Sequence, residues 1–519
     1  MRRGDGLILL VLCLAGGLRS WQMGTDINWD LMNYQFYGPY ALLTGRGFQD
    51  LAAGQLQSFF NPIAHVPQYV LMRALNDWPR LFAFLMGLPA GVYAFVLGKT
   101  CLVVLRAAFP AQAGLAWLAA PAWLIGITGA DFLSLIGLSS NDVNLGLLVL
   151  LALWLALREA ASPSPLTARG LGWLALAGAV MGLALGLKLT NIIYAAPFGI
   201  MVLALFGLRA AVLTGISMVA GFLLTWGGWA WFLWRNTGNP VFPMYNDIFR
   251  SPDFPPIRIA DERFLPRDLW QGLFYPFFWL RKASGMVTEL PMRDPRLALA
   301  MLGVAGLAIA ALRNWPWSFA AARRQRATLF LLGFAIMGYA MWAKTFGIYR
   351  YLLVLETLSG LLVVLALGLL LRARVLAGFG AACAIALGAI LWVAPPNWGH
   401  ARYGAQVLWV DPLPVQPTEM VVTLDDAPHG YLVPFMPPEV RVMGAFTNLT
   451  QPHFDSGLRR RIIAAVAAHP GGFRILTTPH LPLEETNRRL EPLGLIISGE
   501  CQIVRTTMDT HRFCRATRR

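Results

Sequence analysis

The dominant pattern along the chain is a series of apolar runs that short polar segments separate. Each run is roughly 17–25 residues long, the length that a helix needs to cross the hydrocarbon core of a bilayer. A chain that crosses a bilayer must satisfy its own backbone hydrogen bonds, so these runs predict helices. The pattern predicts about eleven transmembrane spans, at residues 7–23, 81–105, 112–129, 143–158, 170–187, 189–207, 211–234, 296–312, 327–345, 351–371 and 374–394.

Two segments near the N-terminus allow another interpretation. The first run follows MRR, as in a secretory signal peptide, but no small-residue cleavage site precedes Trp21, so we expect this helix to be retained. The segment 62–76 resembles a further span, but it is short, and Pro62 and Pro67 interrupt its start. We therefore predict that it forms an interfacial helix on the membrane surface.

The tail after residue 394 has a different pattern. It is polar, its runs MVVTLDD, FRILTT and LIISG resemble strands, and helical patterns near 456–469 and 483–492 separate them. These features predict a small α/β domain at 395–519, which follows a transmembrane domain at 1–394. The predicted fold class is a polytopic α-helical membrane protein of about eleven transmembrane helices with a small C-terminal α/β extramembrane domain.

Composition and charge agree with a membrane protein. The chain is 57% hydrophobic and 13% charged, whereas soluble domains contain about 25% charged residues. The net charge is +15, but the basic residues mostly lie in every second short loop, which indicates topology and anionic headgroups, not nucleic acid. This bias predicts a cytoplasmic N-terminus and places four segments outside: a first loop at 24–80, a second at 130–142, a large loop at 235–295, and the tail.

The cysteines give one indication of the compartment. Cys501 and Cys514 flank a predicted β-hairpin in the tail, and a disulfide between them would require an oxidising environment. The charge bias and this pair together predict a bacterial inner-membrane protein whose external loops and C-terminal domain face the periplasm. No spacing typical of a zinc site occurs in the sequence.

Ionisable residues recur at the predicted outer ends of the spans. They are Asp26 and Asp30 in the first loop, Asp131 and Asp142 in the second, Lys188 between the fifth and sixth spans, and Lys344 and Arg350 after the ninth. Such residues are costly near a bilayer and usually mark a functional site. Structural roles are the alternative: Asp142 as a helix N-cap, Lys188 as a snorkelling side chain and Arg350 as a headgroup anchor.

The combination of charges indicates a chemistry. Two carboxylates can hold a divalent metal ion or act as a general base. Two or three lysine or arginine side chains can hold a phosphate. Aromatic residues in the same loops suit both sugar stacking and the membrane interface. The pattern therefore fits an enzyme that acts on a lipid-linked phosphosugar.

A set of ordered motifs resembles the GT-C superfamily of integral-membrane glycosyltransferases, especially the lipid A aminoarabinose transferases and the protein O-mannosyltransferases. Asp30 and Tyr34 keep the spacing of the acidic first-loop motif of that family. The other motifs, in chain order, are FFNPIAH (59–65), SSNDVNLGLL (139–148), GLALGLKLTN (182–191), TGNPVFP (237–243) and IYRYLL (348–353). Two positions depart from the pattern: Leu31 replaces the second acid, and Asn61 replaces a phosphate-binding lysine.

The resemblance implies a transferase that moves a sugar from a polyprenyl-phosphate donor to an envelope glycan, lipid or protein, with inversion at the anomeric carbon. It implies Asp30 as the catalytic carboxylate, with Asp26 as a second candidate, and Asp142 as the second acidic residue. Lys188 would bind the donor phosphate, assisted by Arg350 or Lys344. Further expectations are a substrate lining of Tyr34, Tyr37, Asn61 and Tyr351, and a metal ion at Asp30 and Asp142. The cofactor requirement is otherwise unknown.

Two other classes of function remain open at this stage. A transporter or flippase of lipid-linked sugars would use the same cations and aromatic residues but no base, and the inverted repeats typical of transporters are not visible in the sequence. A non-catalytic envelope assembly protein would act through its C-terminal domain. The concentration of carboxylates at one face favours one-sided chemistry, and therefore the transferase.

Overall fold

The computed structural model describes residues 3–110, 115–281, 287–313, 325–371 and 375–519. Within these ranges, eight helices are long and apolar enough to cross a membrane: Gly4–Met23, Pro79–Ala108, Asp142–Ala161, Ala168–Leu187, Leu189–Phe206, Leu208–Thr237, Arg326–Thr345 and Tyr349–Leu370. Each coincides with a predicted span, so the protein is a multi-pass helical membrane protein. The predicted spans at 112–129, 296–312 and 374–394 fall on shorter helices or reach beyond the described residues, so the total of about eleven stays a prediction.

The α-helices are α1 (Arg3–Met23), α2 (Tyr37–Leu43), α3 (Val66–Ala74), α4 (Pro79–Ala108), α5 (Ala119–Ile127), α6 (Ala130–Leu135), α7 (Asp142–Ala161), α8 (Ala168–Leu187), α9 (Ile192–Phe206), α10 (Leu208–Phe222), α11 (Gly228–Thr237), α12 (Asn246–Phe249), α13 (Leu269–Phe278), α14 (Arg296–Arg313), α15 (Arg326–Thr345), α16 (Leu353–Leu370), α17 (Val375–Trp392), α18 (Gly457–Ala468) and α19 (Leu483–Leu490). A π-helical turn, Leu223–Gly227, joins α10 to α11.

Helix α3 occupies the segment that was predicted to lie on the membrane surface. It has 9 residues, and at 1.5 Å per residue such a helix is roughly 14 Å long, about half the thickness of the hydrocarbon core. It is therefore too short to span. The predicted cytoplasmic loops at 314–324 and 372–374, with their arginines, lie outside the described residues.

Small residues allow the first helix to pack closely on α4. A Cβ atom added to Gly91 would lie 2.3 Å from the Cα of Cys13, and one added to Gly16 would lie 2.6 Å from the carbonyl oxygen of Gly87. Helices in a bilayer associate through such close contacts, because burial from water does not drive them together there.

Buried polar groups fix the second loop, residues 130–142. Both carboxylate oxygens of Glu356, on α16, accept hydrogen bonds from the first turn of α6: Asp131 N at 2.9 Å and Phe132 N at 3.0 Å. The hydroxyl of Tyr349 donates to the same carboxylate at 2.9 Å. Because these N–H groups are free at any helix start, Glu356 satisfies them and positions the loop that precedes α7.

The C-terminal part contains the predicted sheet. The strands are β1 (Thr25–Asp26), β2 (His400–Ala401), β3 (Met420–Thr423), β4 (Arg441–Gly444), β5 (Phe473–Thr477), β6 (Leu495–Arg505) and β7 (Thr510–Arg518). Strands β3 to β7 form a five-stranded sheet in the order β4-β3-β5-β7-β6. The β3, β4 and β5 strands are parallel, and β6 and β7 form an antiparallel hairpin. With α18 and α19, this sheet confirms the predicted α/β domain type.

The first loop, residues 24–80, is bound to this sheet. Strand β1 pairs with β2, and Leu51 extends the sheet edge at β4, with Leu51 N donating to Val442 O at 3.0 Å. The guanidinium of Arg46 donates to the Asp50 carboxylate and also to the carbonyl oxygens of Pro438 and Val440, at 2.6 and 2.5 Å. The C-terminal sheet thus fixes the loop that carries Asp30.

Candidate active site

Arg350 lies between two carboxylates from different loops. It belongs to a 3₁₀ turn, Tyr349–Leu352, immediately before α16. Its Nη1 donates to Asp30 Oδ2 at 3.0 Å, and its Nε lies 3.6 Å from Asp142 Oδ2. The planar guanidinium has several donors in a fixed geometry, which suits a bridge between two acids.

Lys188 completes the cluster from the other side. It is the first residue after α8, where the chain becomes extended, and its ammonium forms an ion pair with Asp142 Oδ1. The same nitrogen lies 4.9 Å from the ring centroid of Tyr351, within cation–π range. Asp30, Asp142, Lys188, Arg350 and Tyr351, all predicted from the sequence, are therefore brought together.

Asp142 is not used as a helix cap. It is the first residue of α7, where the helix dipole favours a carboxylate, and Asn141 before it has a left-handed backbone with φ of 59°. Among the described residues, Asp142 Oδ2 and Arg350 Nε are buried without a hydrogen-bond partner. Buried polar atoms are normally paired, but these two atoms face each other at 3.6 Å, beyond hydrogen-bonding distance, so a ligand that displaces Asp142 could accept a hydrogen bond from Arg350 Nε.

Tyr34 and His65 line the first-loop side of the cluster. The ring of Tyr34 packs edge-on against His65, with 5.7 Å between the centroids. Burial, followed by the charge of Asp30, raises the pKa of Tyr34 well above its usual value. Burial, followed by the charge of Lys188, lowers the pKa of His65 to about 3. His65 is thus neutral, and its Nδ1 accepts from Asn141 Nδ2 at 2.9 Å, which ties the first loop to the second.

Four other predicted site residues lie apart from the Arg350 cluster: Asp26, Asn61, Tyr37 and Lys344. Both oxygens of Asp26 are engaged, by Asn28 and by the backbone N–H of Ser139 at 2.7 Å. Asn61 donates to carbonyl oxygens of two helices, at Gly186 and Thr225.

Tyr37 donates to Asp50 at 3.1 Å, near the C-terminal sheet. Lys344 is exposed at the end of α15. Asp26, Asn61 and Tyr37 thus hold loops in place, and no described contact joins these three or Lys344 to the Arg350 cluster.

Two further carboxylates belong to the electrostatic environment of Arg350. Burial raises the pKa of Glu289 to about 7, and the charges of Asp142 and Asp30 add to that increase while Arg350 opposes it. Burial, followed by Glu356, raises the pKa of Asp131 well above its usual value. The sequence pattern indicates Asp131 but not Glu289, whose only signal is its place in a predicted external loop just before a predicted span.

The cluster does not suit a metal ion bound between Asp30 and Asp142. The guanidinium of Arg350 already bridges these two carboxylates. Over the residues that the structure describes, no three histidine, cysteine, aspartate or glutamate side chains are grouped as metal ligands. We therefore derive no step through a metal, and the metal requirement stays a prediction without a test.

Comparison with solved structures shows which known proteins have a similar fold. No protein-family model matches the sequence, and no curated protein matches it. The crystal structure of ArnT from Cupriavidus metallidurans bound to undecaprenyl phosphate is similar over 99% of this chain and 98% of that one, with a TM-score of 0.56 and 14% identity. The chain has the GT-C fold.

The apo crystal structure of the same ArnT gives a TM-score of 0.51 with the same coverage and identity. The predicted resemblance to GT-C membrane proteins is therefore confirmed as a resemblance of fold, and it includes the C-terminal sheet, because the coverage of both chains is nearly complete. At this level of identity the GT-C fold is shared and the chemistry must be argued from the site itself.

Proposed function

We propose that the protein is a membrane glycosyltransferase that moves a sugar from a polyprenyl-phosphate donor to an envelope glycan, lipid or protein acceptor. The observation that carries the proposal is the convergence of Lys188 and Arg350 on Asp142, with Asp30 bound to the same guanidinium. The fold adds support, because ArnT, which shares it, has been crystallised with undecaprenyl phosphate.

Lys188 and Arg350 would bind the donor phosphate. Both cations are paired with carboxylates, and an incoming phosphate would take over part of this pairing. Charge-assisted hydrogen bonds to phosphate are strong, and Arg350 Nε, which makes an ion pair but no hydrogen bond, can donate one. The developing negative charge on the departing phosphate would be stabilised by cations that are already in position.

The transfer itself would be a single displacement. The oxygen of an acceptor hydroxyl forms a bond to the anomeric carbon, on the face opposite to the phosphate, while its proton passes to a carboxylate of the site. The bond between that carbon and the phosphate oxygen breaks, and its electron pair leaves with the lipid phosphate, so the anomeric centre is inverted. Asp30, which is 19% exposed at its side chain, would be the catalytic carboxylate that contacts the acceptor.

The site would face the periplasm. The charge bias of the loops supports this orientation, and so does the disulfide between Cys501 and Cys514, which joins β6 to β7 and would persist in an oxidising compartment. The acceptor would then be a component of the cell envelope, and the N-terminus would lie in the cytoplasm.

The proposal is tested with purified protein in detergent. Labelled polyprenyl-phosphate sugars are supplied with envelope extract, and the release of free polyprenyl phosphate is measured. We expect turnover by the native chain, and a loss of roughly 10²-fold or more in Asp30→Asn.

Asp247→Asn, an exposed aspartate of the large external loop, is the matched control and should keep the native rate. In a parallel assay the protein is reconstituted in vesicles; movement of the sugar-loaded lipid across the membrane without release of polyprenyl phosphate would indicate a flippase and contradict the proposal.

A further inference from the structure

Glu289 lies in a segment of the large external loop that several contacts hold in place. The indole N–H of Trp279 donates to Val287 O at 3.1 Å, and Asp294 N donates to Trp279 O at 2.8 Å. Farther along, the backbones of Arg293 and Ala394 exchange two hydrogen bonds, of 3.1 and 2.9 Å. The backbone on both sides of Glu289 is therefore fixed, which a side chain with a defined task in the site requires.

The segment of Glu289 lies beside the turn that carries Arg350, because the ring of Trp279 packs against that of Tyr349 with 4.7 Å between the centroids, and the Glu289 carboxylate interacts with charges of the candidate active site. The charged and titratable groups that interact with it come from the second loop, the first loop, the turn before α16 and its own loop: Asp131, Asp142, Asp30, Arg350, Tyr351, Asp261 and Arg263. Glu289 Oε2 is buried and has no hydrogen-bond partner among the described residues. A buried carboxylate oxygen without a partner is costly, and such groups are concentrated at functional sites.

We propose that Glu289 is a second catalytic carboxylate of this site, which takes up the proton that the acceptor hydroxyl loses during sugar transfer. This inference rests on the proposed function. In the step, the acceptor oxygen binds the anomeric carbon, the electron pair of the broken bond leaves with the lipid phosphate, and the hydroxyl proton moves to the free oxygen of Glu289. No metal or other co-reactant is needed for the balance.

The contacts of Asp30 and Glu289 indicate which of the two carboxylates takes up the proton. Asp30 is bound to Arg350 at 3.0 Å, and proton uptake by Asp30 would weaken that ion pair at the moment when the guanidinium is needed for the phosphate. Glu289 has an unpaired oxygen and no such conflict. Its pKa of about 7, which burial causes, is also close to the value that suits a base at neutral pH.

The test compares pH–rate profiles of the native chain, Glu289→Gln and Glu262→Gln. Glu262 is an exposed glutamate of the same loop and serves as the matched control. For the native chain and the control we expect the rate to fall as the pH decreases below about 7, because the base becomes protonated. In Glu289→Gln we expect a rate roughly 10²–10⁴-fold lower, with that acidic limb absent. Formate should restore part of the rate in Glu289→Ala, which a merely structural role would not explain.

The outcomes separate this inference from the proposed function. If the native chain releases polyprenyl phosphate and Glu289→Gln keeps the acidic limb, the assignment of Glu289 is wrong while the transferase remains. If Asp30→Asn loses the limb and Glu289→Gln does not, Asp30 is the base. If the native chain releases no polyprenyl phosphate from any of the labelled polyprenyl-phosphate sugars, the proposed function is contradicted, and so is the role of Glu289.

Discussion

The guanidinium of Arg350 donates a hydrogen bond of 3.0 Å to the carboxylate of Asp30, across a separation of 320 residues in the chain. The two residues come from the start of α16 and from the first external loop. This contact brings together the parts of the site that the membrane helices and the C-terminal sheet position separately. Most of the chemistry that we propose depends on the geometry at this contact.

Replacement of Arg350 by lysine tests that geometry while the positive charge is kept. A lysine ammonium is a compact point charge and cannot reproduce the planar fork that contacts Asp30 and Asp142 together. We expect turnover to fall by roughly tenfold or more, since a misplaced catalytic group costs about this much or more. Arg267→Lys, at an exposed arginine of the large loop, is the control. A native rate in Arg350→Lys would show that charge alone suffices.

The ion pair between Lys188 and Asp142 predicts opposite effects of two substitutions on lipid binding. Lys188→Met removes a cation from the phosphate site, so the affinity for polyprenyl phosphate should fall by roughly tenfold, which corresponds to about 1.4 kcal/mol. Asp142→Asn frees the same cation from its carboxylate, so the affinity should rise. Binding of labelled polyprenyl phosphate to purified protein measures both. Equal losses in the two variants would contradict competition between Asp142 and phosphate.

The sequence was sufficient for the eight long helices among the described residues and for the proximity of Asp142, Lys188 and Arg350. Each of these three residues adjoins a long apolar run, and the predicted topology puts all three at the same face of the membrane. Residues inside the external loops were harder to assign. The partners of Asp26, Tyr37 and Asn61 lie in distant segments, at Ser139, Asp50 and Gly186, and no local pattern indicates such pairings.

Glu289 was missed for a related reason. Its proposed role depends on the burial of one carboxylate oxygen and on charges that come from other segments of the chain. The docking of the first loop on the C-terminal sheet is likewise not indicated by any local pattern. It depends on backbone pairing between distant residues such as Leu51 and Met443. Side-chain patterns reveal which face of an element is apolar, whereas they carry little information on which distant backbone edges meet.

The disulfide between Cys501 and Cys514 should stabilise the C-terminal sheet. It joins neighbouring strands across a separation of 13 residues, and closure of a loop of this size contributes about 3 kcal/mol to the free energy of unfolding. Thermal unfolding of the Cys501→Ser/Cys514→Ser variant should therefore begin at a lower temperature than that of the native chain. Cys383→Ser, at an exposed free cysteine, should have no effect. Alkylation of both cysteines without a reductant would contradict the bond.

A buried histidine in the C-terminal sheet predicts a loss of stability in acid. His511 lies 3.1 Å from the His429 ring, through their Nδ1 atoms, and 2.6 Å from the Tyr431 hydroxyl. Burial, and then the neighbouring His429, lowers the pKa of His511 from 6.5 to about 3. Between these values the unfolded chain binds a proton that the folded chain does not, so stability must decrease as the pH falls from 6.5 towards 3, by at most about 1.4 kcal/mol per pH unit. Above pH 6.5 the contribution is constant.

The measurement is thermal unfolding of purified protein in detergent between pH 8 and pH 4. His511→Asn should be less stable than the native chain at pH 8, because two hydrogen bonds are altered. The slope of its free energy of unfolding against pH should be smaller, because about one proton fewer is taken up on unfolding. Some dependence should remain, since the pKa of the buried His65 is also lowered to about 3. The exposed His453 provides the control, and His453→Gln should keep the native slope. An unchanged slope in His511→Asn would mean that His511 is protonated in the folded protein.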